Sequence, residues 1–217
     1  MGVVTAERLE WLRGPALVSL ALGVAASVLV IGLRSAGFLQ FVELATYDAY
    51  LRVKEHQSMP EPRIVLVQTI EEDIQKLGEW PISDRRMAEV LKKILAANSR
   101  AVGVDLYRDI PVPPGSDELN ALLASDKRVI FIEKFGKDSS KRVAGPAALR
   151  GTERIGFSDV TPDDDGVVRR GLLFLDDGKN SSTSLALRLA LAYLAEEGIA
   201  PQPDTNDPAH IRLGKVT

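Results

Sequence analysis

Charged and polar side chains stand directly after three short apolar runs of this chain, which has 217 residues. The runs cover residues 64–69, 101–105 and 129–132, and each is rich in Val or Ile, which predicts a buried strand. Ligands bind beyond the carboxyl ends of the strands in a parallel sheet. We therefore predict a polar crevice for a small polar or cationic ligand, with Asp105 and Arg108 at its centre.

The residues expected to line this crevice come from all three places. The candidate ligand-binding residues are Glu71, Glu72, Asp105, Arg108 and Asp109. Neighbours that could contribute are Asp73, Tyr107, Glu133 and Lys134.

Each group also has a structural interpretation that needs no ligand. Acidic residues at positions 71–73 would favour the positive N-terminal end of a short helix that finishes at Gly78. Asp105 would accept hydrogen bonds from backbone amides, and Arg108 would pair locally. Paired carboxylates are often structural, so both interpretations stay open.

A run of three aspartates, residues 163–165, is a further candidate, because carboxylate oxygens suit Ca²⁺. The spacing is not that of an EF-hand loop, and Asp with Gly166 is equally typical of a hairpin turn. We predict a turn and no metal site. Arg169 and Arg170 would neutralise its charge, although neighbours on a strand face opposite sides, so at most one is expected to share a face with a given aspartate.

Several classes of function find no support in the composition or motifs. The chain has no cysteine, two histidines, 26% charged residues and a net charge of -3, so thiol chemistry is excluded and nucleic acid is not an expected partner. Phosphate-binding glycine motifs, the G-x-S-x-G elbow and the H-E-x-x-H motif are absent from the sequence. We predict no cofactor and no enzymatic activity.

The elements that would position the crevice follow an α/β order. Helices are predicted at residues 85–97 and 117–124, between the three runs, which gives a parallel core with crossovers on its faces, a three-layer-like arrangement. An antiparallel hairpin is predicted from residues 155–160 and 167–175, which makes the sheet mixed. Residues 185–195 form a core helix, and residues 210–213 begin another strand.

The stretch from Pro15 to Leu33 has 19 residues without a charge. As a helix it is about 28 Å long, close to a hydrocarbon core of about 30 Å. A cleaved signal peptide and a soluble core helix are the alternatives, but the run exceeds the usual signal core and no A-x-A site follows. Basic residues are more frequent before the run, which places residues 1–14 in the cytoplasm.

Residues beyond this predicted span continue the helical spacing. We predict that the membrane helix extends as an amphipathic stalk over residues 34–58, until the prolines of MPEP, residues 59–62, stop it. Residues 59–217 would form an extracytoplasmic domain. The residues on the apolar face of the stalk are Phe38, Phe41, Val42, Ala45, Ala49 and Val53.

An ordered series of motifs makes the chain similar to the second type of CHASE domain, an extracellular sensory module of cyclases and histidine kinases. The series covers roughly residues 40–215. It comprises YDAYLR (47–52), IVLVQTIEEDIQKLGEWPISD (64–84), AVGVDLYRDIPVPPG (101–115), AGPAAL (144–149), IGFSDVTPDDDGVVRRGLLFL (155–175) and SLALRLALAYL (184–194).

This resemblance implies a sensor in the plasma membrane of a bacterium, the inner membrane where there are two. Further membrane helices and a cytoplasmic cyclase or kinase would follow, so the chain is expected to lack its last strands, its return helices and its output. The signal would be a small molecule or a protein, and the full-length protein a homodimer. A membrane-tethered hydrolase that uses the crevice and a structural dimerisation module are the alternatives.

Overall fold

The computed structural model describes residues 6–54, 63–136, 141–204 and 210–214, with side chains from Gly14 onward. The chain divides into two compact units, Met1–Val67 and Gln68–Thr217. Each unit has its own elements and is described by itself.

The first unit consists of two helices, α1 (Ala6–Ser35) and α2 (Gln40–Val53). Within α1, the 22 residues Gly14–Ser35 are long and apolar enough to cross a membrane, by length and composition, and none of their side chains is buried. In the described part of the chain this is the one such helix. It contains the whole predicted span.

A turn at Gly37 separates the two helices. Gly37 has a φ of 81°, its amide donates to the carbonyl of Arg34 at 3.0 Å, and the Phe38 amide donates to Leu33 at 3.0 Å. These bonds close the end of a helix around a left-handed residue, a conformation that glycine adopts without strain. The prediction of one helix running on into the stalk is therefore wrong. The predicted stop at residues 59–62 lies outside the described residues.

The second unit contains a parallel sheet of three strands in the order β1 (Val102–Val104), β2 (Val129–Glu133) and β3 (Ile155–Phe157). The α/β class and the parallel core are confirmed. The third strand, however, is one that the sequence assigned to a hairpin. A run of alternating apolar residues fits a parallel or an antiparallel neighbour equally well, so the pattern does not choose the partner.

The predicted strand at residues 64–69 is not formed in the structure. These residues form no strand hydrogen bonds with the described residues, and the side chains of Ile64, Val65, Leu66 and Val67 are exposed. Strand propensity depends on packing against neighbouring strands. Apolar, β-branched composition was therefore a misleading signal here.

Two antiparallel hairpins follow the parallel sheet. The first pairs β4 (Phe174–Asp176) with β5 (Ser181–Thr183), and the second pairs β6 (Pro201–Pro203) with β7 (Ile211–Leu213). The predicted hairpin of residues 155–160 with residues 167–175 is therefore wrong, because residues 155–157 pair with β2 and residues 174–176 pair with β5. The predicted mixed sheet is wrong as well, since the three-stranded sheet is parallel and each hairpin is a separate two-stranded sheet. The predicted strand at residues 210–213 is confirmed.

Helices pack on the sheet through side chains of defined periodicity. The order is α3 (Glu71–Leu77), α4 (Asp84–Ala96), α5 (Ser116–Ser125) and α6 (Leu185–Ala195), with a short 3-10 turn at Ala147–Leu149. Helices α4 and α5 share a core with alternate residues of β1 and β2. Its central members are Met87, Leu91, Leu95, Leu119, Leu123, Val102, Val104, Val129 and Phe131.

Helix α6 lies against glycines of the sheet. The Leu189 side chain would lie 2.7 Å from a Cβ built on Gly103, and the Leu185 amide nitrogen 2.7 Å from one built on Gly156. Ser184 begins the helix, and its hydroxyl accepts a hydrogen bond from the Leu187 amide at 3.2 Å. Helix α6 therefore packs so closely on β1 and β3 that these two positions leave no room for a Cβ atom.

Candidate functional site

The carboxyl ends of the three parallel strands lie at one edge of the sheet, and polar residues follow each of them. Asp105 follows β1, Glu133 ends β2, and Asp159 comes two residues after β3. The side chain of Glu133 accepts a hydrogen bond from the Ser182 hydroxyl, and Asp159 accepts one from the Phe135 amide at 2.8 Å. These bonds tie β5 and the segment after β2 to the edge.

Arg108 is buried and forms an ion pair. Its side chain is 4% exposed, and Nη1 lies 3.5 Å from Oδ1 of Asp84, which is 2% exposed. Nη1 also donates to the carbonyl of Ile82 at 3.0 Å. Burial lowers the pKa of the Arg108 guanidinium, and the charge of Asp84 opposes that shift. The structural interpretation of Arg108 is the one that these contacts support.

Asp84 is the residue that joins α4 to the loop after β1. Its Oδ2 accepts hydrogen bonds from the Val112 amide at 3.0 Å and from the Ser116 hydroxyl at 2.6 Å. Its own amide donates to the Val112 carbonyl at 2.7 Å. We call Asp84, Arg108, Val112 and Ser116 the buried clamp. The sequence did not single out Asp84 as a candidate, because its burial and its distant partner leave no local signal.

Two clamp atoms have no hydrogen-bond partner within the described residues, Oδ1 of Asp84 and Nε of Arg108. An unsatisfied buried polar atom costs about 1–3 kcal/mol. The ion pair of 3.5 Å between the side chains compensates part of this cost. The stability of the clamp therefore depends on the presence of both charges.

The other candidates are exposed. Glu71, Glu72, Asp105 and Asp109 all lie at the surface. Among the described residues, no hydrogen bond or ion pair joins the five candidate residues to one another. Asp105 and Asp109 flank Arg108 on the loop after β1, whereas the two glutamates belong to the first turn of α3.

The acidic residues of α3 stabilise the start of that helix. Oδ2 of Asp73 accepts a hydrogen bond from the Ile70 amide at 3.1 Å, and Oε1 of Glu71 accepts one from the Gln75 side chain at 3.2 Å. The helix ends at Gly78, which has a φ of 66°. The predicted short helix, with its acidic first turn, is confirmed.

A second polar cluster forms at the aspartate turn. The Asp163 amide donates to the Val167 carbonyl at 2.9 Å, which closes the turn. Nη1 of Arg169 lies 3.0 Å from Oδ2 of Asp163, Nη2 of Arg169 lies 2.6 Å from Oδ2 of Asp165, and Arg170 also pairs with Asp163. The predicted neutralisation is confirmed.

The expectation that only one of the two arginines could reach a given aspartate is wrong. Both contact Asp163. Residues 167–173 are not a strand, so neighbouring side chains do not alternate between two faces. Within the described residues there is no group of three or more His, Cys, Asp or Glu side chains placed to hold a metal ion.

This turn predicts a dependence of stability on acid. Hydrogen bonds from Arg169 and then Arg170 lower the pKa of Asp163, and bonds from Arg169 and the Val167 amide lower the pKa of Asp165 to about 2. A carboxyl whose pKa is lower in the folded state stabilises that state above its unfolded pKa of about 3.9, and this contribution is lost as pH falls through the folded pKa. We expect urea midpoints to fall between about pH 4 and about pH 2.

Replacing Arg169 by glutamine should flatten part of this decline, because the pKa values of both aspartates would return toward their ordinary range. Arg150→Gln, which changes an exposed arginine, is the matched control and should leave the decline intact. Some slope should persist in both variants, because backbone amides of Asn180 and Lys179 lower the pKa of Asp177 to about 2. Identical pH curves for Arg169→Gln and the control would contradict the assignment.

Comparison with known families decides what kind of domain this is. The family model described as the CHASE2 domain matches residues 25–216, which include the sheet, the buried clamp and the aspartate turn. The chain belongs to the CHASE2 domain family. The resemblance seen in the motifs is thereby confirmed.

CHASE2 is a family of sensory extracellular domains, not of catalytic ones. Membership agrees with a sensor role for the chain and with the one helix able to cross a membrane in its described part. Neither the curated proteins nor the solved structures gave a match to this chain.

Proposed function

We propose that this CHASE2 domain detects a stimulus outside the cytoplasm of a bacterium and relays it to a cytoplasmic cyclase or kinase. The observation that carries the proposal is the family match over residues 25–216. Helix α1 would anchor the domain in the plasma membrane, with residues 1–14 in the cytoplasm, because basic residues are more frequent before the span than after it. The full-length protein would act as a homodimer.

The loop after β1 is the part of the domain best placed to take a ligand. Asp105 and Asp109 present exposed carboxylates beyond the carboxyl end of a parallel strand. Arg108 lies between them in the sequence, and its buried contacts with Asp84 and the carbonyl of Ile82 fix the loop. Glu71 and Glu72 complete the proposed acidic surface from α3. A cationic or polar ligand suits this charge.

The clamp supplies a route from the ligand to the rest of the domain. It ties the loop to the first residue of α4, and α4 packs against α5 and β1 in the shared core. A ligand that binds one arrangement of the loop better than another shifts the population of the two. We propose that the complete domain carries helices on both faces of the sheet, and that this shift moves α4 on one of them.

Thermal unfolding in the presence of a panel of amines and polar metabolites tests the ligand proposal. A ligand present at 100 times its Kd stabilises the folded state by about 2.7 kcal/mol. Since about 1 kcal/mol raises Tm by about 2–4 °C in a chain of this size, we expect a rise of about 5 °C or more.

Asp105→Asn with Asp109→Asn should abolish most of the rise in Tm, because both exposed carboxylates of the loop are removed while the clamp remains. Asp117→Asn, which removes a carboxylate from the first turn of α5, is the control and should retain the rise. An equal rise in both variants would show that the ligand binds elsewhere. No rise with any compound would refute a small-molecule signal and leave a protein signal.

A further inference from the structure

Strand β4 (Phe174–Asp176) pairs on one side only. Within the described residues its strand partner is β5, and its other edge is free. A single bridge between Phe157 and Ser184 connects the end of β5 with β3, so β4 is the outer strand on this side of the second unit. The unpaired edge of a strand is a ready template for a strand from another chain.

The hydrogen bonds of the hairpin show which backbone groups of β4 face the free edge. The Asp177 amide donates to the Asn180 carbonyl at 3.1 Å, and the Ser184 amide donates to the Leu173 carbonyl at 2.9 Å. Residues that bond in this way alternate along an antiparallel strand. The first and the last residue of β4 therefore direct their amides and carbonyls away from β5, toward the free edge.

The segment that contains this edge has an apolar centre between opposite charges. Residues 170–176 read RGLLFLD. Leu173 is 48% exposed and Phe174 is 52% exposed, while Arg170 and Asp176 lie at the surface on either side. Edge strands are commonly protected by lysine or proline. This segment contains neither, so nothing in its composition blocks pairing.

The segment is complementary to itself in the antiparallel direction. When Leu173 faces Leu173 of a second copy, Arg170 of each copy faces Asp176 of the other, and Phe174 faces Leu172. Backbone groups that point to the free edge then meet groups that do the same, so their hydrogen bonds form. Opposite charges directly across an antiparallel pair stabilise it. A register shifted to place Arg170 opposite Gly178 would lose both ion pairs.

Arg170 can make this contact while it stays at the aspartate turn. It pairs with Asp163, yet its side chain is 73% exposed, and a guanidinium has several N–H donors. Residues 170–173 have no regular structure in the single chain and would extend into the strand on pairing. The charge pattern that the free edge requires of a partner is thus the one that the chain itself carries.

We propose that β4 is a dimerisation edge, to which a second copy of the chain adds its own β4 about a two-fold axis at Leu173. The hairpins of the two copies then form one antiparallel sheet in the order β5, β4, β4, β5. The inference rests on the proposed homodimer and names its surface. One strand from each copy makes a small interface, so anchorage in one membrane, which raises the effective concentration of the copies, favours the dimer.

Single-cysteine variants of the full chain test this surface, because the chain has no cysteine of its own. Leu173→Cys would face its counterpart in a non-hydrogen-bonded pair, whose Cα atoms lie about 4.5 Å apart, within the range that a disulfide spans. Val160→Cys, at a position that is 68% exposed and outside the segment, measures random collision. The variants are reconstituted in phosphatidylcholine vesicles and oxidised with copper phenanthroline, and dimers are followed on non-reducing gels. We expect Leu173→Cys to cross-link several-fold faster than Val160→Cys.

Charge reversal tests the register. Leu173→Cys is combined with Asp176→Arg in one variant and with Arg170→Asp in another. Each variant alone sets like charges opposite each other, so its cross-linking should fall several-fold. When the two variants carry different tags and are reconstituted together, both ion pairs return in the mixed dimer, and mixed cross-linking should recover. This recovery would also show that both variants are folded.

Equal rates for Leu173→Cys and Val160→Cys would overturn the β4 interface. If the unmodified chain then still sediments as a dimer in detergent, the proposed homodimer stands and uses another surface. A monomer in detergent that also fails to cross-link in vesicles would contradict both. Equal cross-linking of the two charge-reversed variants, alone and mixed, would overturn the register centred on Leu173.

Discussion

Replacing Asp84 by alanine is expected to lower the free energy of unfolding by about 3–5 kcal/mol. Arg108 would keep its charge in a site where its side chain is 4% exposed, without the carboxylate that compensates it. The Val112 amide and the Ser116 hydroxyl would lose their acceptor in the same step. Urea unfolding of the chain in mild detergent, followed by circular dichroism, measures the loss.

A surface ion pair provides the control for the clamp. Arg85 lies 3.8 Å from Glu118, and the two side chains are 53% and 50% exposed. Glu118→Gln should cost less than about 1 kcal/mol, because exposed pairs contribute little. The double variant Asp84→Ala with Arg108→Met should recover much of the loss, since no charge stays buried alone. If Asp84→Ala cost no more than Glu118→Gln, the clamp would not be a determinant of stability.

A methyl group added at Gly156 is the second change expected to have a large effect. Gly156→Ala should cost about 1–3 kcal/mol, the usual range for overpacking a core. The new Cβ would lie 2.7 Å from the backbone nitrogen of Leu185 and 2.8 Å from its Cα. Backbone atoms at the start of a helix cannot rotate away as a side chain can, so α6 or β3 must shift as a whole.

Two other glycines provide comparisons for this prediction. Gly171→Ala should be nearly neutral, because no atom lies within 4 Å of its Cβ position. Gly103→Ala should fall between the two, because its Cβ would meet the end of the Leu189 side chain, which can change rotamer. The three variants are compared by their urea midpoints in the same detergent. Equal midpoints for Gly156→Ala and Gly171→Ala would show that α6 is not packed closely on β3.

Much of the fold was predictable because its signals are local. The predicted helix at residues 85–97 corresponds to α4 (Asp84–Ala96), and its buried residues Met87, Leu91 and Leu95 repeat at helical spacing. The core helix predicted at residues 185–195 has the observed bounds of α6. A helix satisfies its hydrogen bonds within its own segment, so a sequence pattern suffices to locate it.

Strand partners were predicted less well, since a strand is completed by residues far away in the sequence. Residues 64–69 have the composition of a strand and no partner among the described residues, whereas residues 155–157 pair with β2 instead of with a hairpin arm. The candidate site has the same limit. Asp105 and Asp109 were placed correctly at the end of β1, but the partner of Arg108 is 24 residues before it.

By itself the sequence determined the apolar span, the faces of the helices and, through its ordered motifs, membership of the CHASE2 family. These depend on residue type and on spacings of a few residues. The tertiary structure alone decided that Arg108 is buried against Asp84, that both arginines meet at Asp163, and that the apolar helix ends before a turn at Gly37. The partner of Arg108 comes from a distant segment, and the pairing at Asp163 depends on a backbone conformation that the spacing of the residues does not specify.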